Sequence, residues 1–205
     1  MAAGPSESGD SPASSPRQRR QRTDAQRNVG ALLEAAKTVF ATAGVDAPAK
    51  EITDLAGVGV GTLYRHFPRR SDLIVAVLQH EVDECAEAAT VLARHHEPGQ
   101  ALERWLYRFT EFVGTKRGLA SALHSGDPAF DALPSYLTSK LEPALDALLS
   151  AATATGEVRD DLCARDLIHT VALLCQPVPG EALTYNQRLV AVFVDGLYRP
   201  GTAHS

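Results

Sequence analysis

Three cysteines in 205 residues, at positions 85, 163 and 175, are too few and too widely spaced for a disulfide framework. Their number is odd, and they fit a reducing compartment. No apolar run approaches the roughly eighteen residues that a bilayer-crossing helix needs. The opening MAAGPSESGDSPASSP holds no apolar stretch of the kind a signal peptide requires. The expectation is a cytoplasmic chain without a membrane partner. Catalytic signatures are missing too: there is no phosphate loop, no GxSxG, no HExxH and no cysteine pair at zinc spacing. The chain is therefore expected to be no enzyme, to need no cofactor and to carry no metal. His80 and Glu84 sit one helical turn apart and are metal-ligand types, but the sequence offers them no third partner. A solvated face is the simpler reading. Cys175, inside an apolar run, reads as a small core residue.

The length allows one or two domains with a sizeable core. A formal net charge of −5 argues weakly against a nucleic-acid partner, but the charge is unevenly placed. Residues 17–70 hold ten basic and five acidic side chains, whereas residues 71–205 hold ten basic and eighteen acidic. A net +5 is thus concentrated in the first third of the chain. Phosphate binding depends on that local field, not on the total.

Within the positive third lies PAKEITDLAGVGVGTLYRHF, residues 48–67. Pro48 suits the first position of a helix. Ile52, Leu55 and Ala56 recur at helical spacing as one apolar face, and Gly57 stands where a left-handed C-cap is wanted. A second short helix follows from Gly59, with Leu63 and Phe67 turned inward beside Val58. Val60, Gly61, Thr62, Tyr64 and Arg65 are left facing out. Together with Gly59 they offer two glycines, a hydroxyl, a phenol and a guanidinium, which pack poorly but suit a helix pressed into a DNA major groove. The stretch reads as a helix-turn-helix.

GVGVGTLYRHF, followed by Pro68 and the basic pair Arg69 and Arg70, resembles the signature of TetR-type transcriptional repressors. The resemblance is sharp from Asn28 to Leu78; beyond, it extends to helix order and length. It implies an all-α homodimer, with an N-terminal DNA-binding domain and a C-terminal domain for a small-molecule effector. It also implies a pseudo-palindromic double-stranded DNA operator that the effector releases. By resemblance, Thr62, Tyr64 and the backbone about Gly59 lie nearest the DNA, while His66 and Arg70 meet phosphates. Lys50, which begins the first of the two helices, is placed for phosphates or base edges, and Arg69 joins the basic set. Val60 and Arg65 are expected to set base preference.

The expected architecture has about nine helices: a three-helix N-terminal domain (residues 23–70) and a helical bundle (71–205). Residues 1–22 lack apolar periodicity and are expected to be disordered. Their segment RQRRQR is either an arm that follows DNA or an ordinary solvated tail. Thr23 and Gln26 have capping-box spacing, and Val29, Leu32, Leu33, Ala36, Val39 and Phe40 form an amphipathic stripe ending at Gly44. Ser71 is a candidate cap for a long fourth helix running towards Leu92. Pro143 interrupts the stripe of the long helix that starts near Leu133 and should kink it.

Trp105, Phe109, Phe112, His124, Tyr136 and His169 combine aromatic bodies with polar tips within apolar stripes, as the walls of a ligand cavity do. The last two helices, expected near 164–176 and 185–198, are apolar almost all round. Such helices are buried on more than one side. A second copy of the chain is the simplest cover, which places Leu173, Val190, Phe193, Val194 and Leu197 at a dimer interface.

Overall fold

A computed structural model describes residues 16–117 and 119–199. Among them the chain forms nine α-helices and a single 3-10 turn, and no strand beyond an isolated bridge between Val158 and Tyr198. The helices are α1 (Pro16–Ala43), α2 (Ala49–Ala56), α3 (Val60–His66), α4 (Arg70–His95), α5 (Pro98–Arg117), α6 (Ala120–Leu123), α7 (Leu133–Ala154), α8 (Ala164–Leu174) and α9 (Leu183–Asp195). The 3-10 turn spans Pro128–Phe130, where the Asp127 carboxylate accepts from the Ala129 N–H. The all-helical expectation holds.

α1 starts at Pro16, seven residues before the expected Thr23, so residues 16–22 are helical where disorder was expected. Proline is well placed to open a helix, and arginine and glutamine are good helix formers that need no apolar face to continue one. The RQRRQR side chains lie outside the described part, as do residues 1–15. α4 begins at Arg70 rather than at a Ser71 cap: the Asp72 carboxylate accepts from the Arg69 N–H at 3.0 Å, and Ser71 is buried. α7 passes through Pro143 without a break, and the Ser139 hydroxyl donates to the Tyr136 carbonyl at 2.8 Å.

Two apolar cores lie along α4. Leu73, Ile74, Val77 and Leu78 join Leu32, Ala36 and Phe40 of α1, Ile52 of α2 and Leu63 of α3 in the first. Val82, Cys85 and Ala89 join α5, α7, α8 and α9 in the second, around the fully buried Trp105. Leu119, Phe130 and Leu133, which follow α5 in the chain, nevertheless pack into the first core. The head formed by α1, α2 and α3 therefore rests on the body through α4 and through the α6–α7 connection.

Candidate DNA-binding surface and ligand cleft

α2 is short, and its register is settled by one turn at each end. Pro48 is its N-cap, one residue outside the helix. Gly57 takes a left-handed φ of 67° at its C-cap, and the following Val58 N–H reaches back to the Thr53 carbonyl at 3.1 Å. Ile52 is fully buried, but Leu55 is 58% exposed, against expectation. Thr53 is turned inward in its place, its hydroxyl donating to the Lys50 carbonyl at 3.1 Å. That internal bond removes the cost of burying the hydroxyl.

α3 turns Leu63 and, just past its end, Phe67 inward. Val60, Gly61, Tyr64, Arg65 and His66 are exposed, and Thr62 is half-buried. Val60 and Tyr64 are large apolar groups left in solvent at 40% and 53% exposure. Gly59 and Gly61 share a further property. Neither has a positive φ, and a Cβ built on either meets nothing within 4 Å. No turn and no neighbour within the chain requires glycine at these positions, and glycine inside a helix weakens it.

The basic residues around this surface are held in different ways. Lys50 is exposed and pairs with Asp54 at 2.6 Å, a surface contact of small worth. Arg69 is exposed and forks onto Asp72 at 2.7 Å, and its guanidinium holds that carboxyl below the ordinary carboxylate range. Arg70 departs from its expected place at phosphates. Its guanidinium turns inward, donating to the carbonyls of Val45 and Ala47 (the latter at 2.5 Å) and lying 5.2 Å over the Phe40 ring. It clamps the α1–α2 connection onto the start of α4.

The aromatic candidates of the body divide three ways. Trp105 is core: its indole N–H donates to the Cys85 carbonyl at 2.8 Å, and its ring stacks on Phe109 at 5.5 Å. Tyr136 donates to Asp83 at 2.8 Å, and burial together with that carboxylate pushes its pKa up to about 12. Neither lines the two spaces that the other candidates do. Phe109, Phe112 and His169 do line one, a cleft of about 500 Å³ between α5, α7 and α8. His124 lines an adjoining space of about 440 Å³.

The two spaces share Val113, Pro134, Leu137 and Gln176. Of these, Pro134 and Leu137 continue with Leu141 as an i, i+3, i+7 stripe, a periodicity visible in the sequence. Gln176 carries no such signal. The Arg165–Glu142 ion pair, at 2.6 Å, closes one rim.

α9 corrects the expected interface. Val190, Val194 and Leu197 are at most 2% exposed and belong to the chain's own second core. Asn186, one turn before Val190, is buried with them and donates to the Leu174 and Gln176 carbonyls, which fixes the roll of the helix. Phe193 is half-buried. Leu173 of α8 and Val192 of α9 are left outside, each 71% exposed.

Sequence comparison agrees with this geometry. The family described as bacterial regulatory proteins, tetR family, matches residues 32–77. The family described as transcriptional regulator SbtR-like, C-terminal domain, matches residues 97–199, half of the chain. Among solved structures, the TetR transcriptional regulator SCO0520 from Streptomyces coelicolor superposes with a TM-score of 0.73 at 33% identity, over 84% of this chain and 99% of that one. The HTH-type transcriptional repressor KstR of Mycobacterium tuberculosis is 26% identical over 63% of this chain and 60% of its own length. The HTH-type transcriptional regulator SAR0097 of Staphylococcus aureus is 39% identical over 33% of this chain and 36% of its own. The chain thus spans less than two thirds of the length of these curated relatives. No helix among the described residues is long and apolar enough to cross a membrane. An exposed helix-turn-helix surface, a helical body with an apolar cleft and these matches give one conclusion: the chain belongs to the TetR family of DNA-binding transcriptional regulators.

Proposed function

We propose that the protein is a homodimeric repressor that acts on cytoplasmic DNA and leaves its operator when a small, mainly apolar molecule fills the cleft of the body. Residues 23–70 act as the DNA-binding unit and 71–205 as the effector and dimerisation unit. The observation that carries the DNA reading is the bare backbone at Gly59 and Gly61, which the chain itself does not need. Val60, Thr62, Tyr64 and Arg65 then reach base edges and sugars, while Lys50, His66 and Arg69 serve phosphates. The name of the mycobacterial relative supports the repressor sign.

Gly61→Ala tests this observation directly. Alanine should strengthen α3 by about 0.5–1 kcal/mol, raising the melting temperature. The same methyl should lower operator affinity by ~10-fold, equivalent to about 1.4 kcal/mol. An unchanged affinity would remove the argument. The operator itself comes from selection out of a random duplex pool, read at several salt concentrations. Two-fold sites with half-sites ~34–36 Å apart, or a multiple of that, are expected. Asymmetric single half-sites bound by monomers would sink the proposed architecture.

Support for effector release comes from walls shared between cleft and head. Leu78, Phe130 and Leu133 line the space that adjoins the cleft and also belong to the core that holds α1, α2 and α3. A ligand that moves these side chains acts on the packing of the head, and its differential affinity for the two arrangements sets the size of the response. A thermal-shift screen of apolar compounds carrying one or two polar groups should return ligands that also weaken operator binding. Ligands that stabilise the protein and leave DNA affinity untouched would count against release.

A further inference from the structure

Glu34 and His80 are far apart in sequence, but the structure brings them together across the α1–α4 seam. His80 Nε2 lies 3.2 Å from Glu34 Oε1 and 3.5 Å from Glu84 Oε1, one turn further along α4. Glu34 is the third partner that the pair His80 and Glu84 lacks in the sequence. A ring nitrogen carries at most one proton, which serves one of these oxygens. The 3.5 Å separation also exceeds an ordinary N–H···O bond of ~2.7–3.2 Å.

The three ligand-type atoms lie within 4.8 Å of one another. Around a tetrahedral Zn²⁺ with bonds of ~2.0–2.1 Å, neighbouring ligand atoms stand roughly 3.3–3.4 Å apart. The two measured edges bracket that spacing.

The charges around the site favour a cation. Glu81, adjacent in sequence to His80, is fully buried; its Oε1 meets Lys37 Nζ at 2.5 Å, and its Oε2 meets no hydrogen-bond donor. Arg108 of α5 reaches Glu84 at 3.5 Å and Glu111 at 3.9 Å. At the imidazole itself two carboxylates, Glu34 and Glu84, face one guanidinium, Arg108, which leaves one negative charge in excess. The side chains of His80, Glu84 and Glu34 are 32%, 40% and 53% exposed, so a fourth coordination position opens to water.

We propose that Glu34, His80 and Glu84 form a site for a divalent transition metal of the zinc class, bound by one imidazole and two carboxylates, that ties α1 to α4. Imidazole nitrogen and carboxylate oxygen are both Zn²⁺ ligands. The site is independent of the DNA and effector readings, because its test measures metal uptake alone.

The test is a titration of zinc chloride into the metal-free full chain in a non-coordinating buffer, followed by calorimetry. It uses a Cys163→Ser background, since the exposed Cys163 thiol also attracts zinc. Cobalt chloride serves as a spectroscopic probe. One equivalent per chain, a rise in melting temperature with zinc, and the strong visible bands of four-coordinate Co²⁺ are expected. Glu34→Gln and His80→Ala should each weaken uptake by roughly 100-fold or more, beyond the 10–100-fold loss seen when only an outer partner of a ligand is removed. His95→Ala, on the same helix, should leave it unchanged. Absence of a stoichiometric site, or uptake that survives both Glu34→Gln and His80→Ala, overturns the proposal. If His80→Ala does not fold, Glu34→Gln decides, because it alters a half-exposed carboxylate and keeps its shape.

Discussion

Arg70→Ala should destabilise the protein by about 2–4 kcal/mol and leave the salt dependence of DNA binding unchanged. The guanidinium donates two charge-assisted bonds, to the Val45 and Ala47 carbonyls, and lies over Phe40. Each such bond is worth ~1.5–3 kcal/mol, with part of that recovered when water reaches the freed carbonyls. Both carbonyls belong to the connection that sets the angle of α2, so loss of the clamp should also loosen the head and reduce affinity for all sequences alike.

A phosphate contact behaves differently: its loss leaves stability nearly intact and flattens the salt slope by about one unit. Arg70→Lys separates the two further, because an ammonium cannot fork to two carbonyls as a guanidinium does. Urea denaturation and DNA titration at several salt concentrations decide between them. A stable Arg70→Ala protein with a slope reduced by one would return Arg70 to the phosphates.

The family resemblance places Arg70 at phosphates, and nothing local in the sequence says which way a long side chain turns. Its inward direction depends on carbonyls 23 and 25 positions earlier, exposed by the end of α1. Leu55, expected inward, gives way to Thr53 for a related reason. In a helix of eight residues, a modest rotation exchanges the buried member of a neighbouring pair, and threonine can satisfy its own hydroxyl.

Features set by local chemistry are legible: the left-handed Gly57, the inward pair Leu63 and Phe67, and the continuous α1 stripe. Features set by tertiary meeting are not. Glu34 beside His80, Leu119 and Phe130 packed into the head, and Gln176 in the cleft all join residues with no common period. For α9 the pattern itself is ambiguous. Both Leu189 with Phe193 and Val190 with Val194 satisfy a four-residue step, and the buried Asn186 selects the second set.

That selection sets the second large expected effect, a contrast between two sets of charge substitutions on α8 and α9. Val194→Asp places a carboxylate in the chain's own apolar core, where the position is 1% exposed. Burying an uncompensated charge costs several kcal/mol, a large part of the ~5–15 kcal/mol that holds a domain together. Val194→Asp should therefore unfold the body at any protein concentration, by far-ultraviolet circular dichroism and by loss of the cooperative melt.

Leu173→Asp with Val192→Asp touches residues that are 71% exposed in the single chain. There each change should move protomer stability by no more than about 0.5 kcal/mol. In the proposed dimer those same side chains are covered, and two carboxylates per chain would be brought together across a two-fold axis. The double variant should sediment as a folded monomer at micromolar concentration, lose the rise of melting temperature with concentration, and lose operator binding. DNA affinity falls because each half-site is then bound alone, without the effective concentration that linkage supplies. If the double variant keeps wild-type sedimentation and operator affinity, the exposed face of α8 and α9 is not where two copies meet.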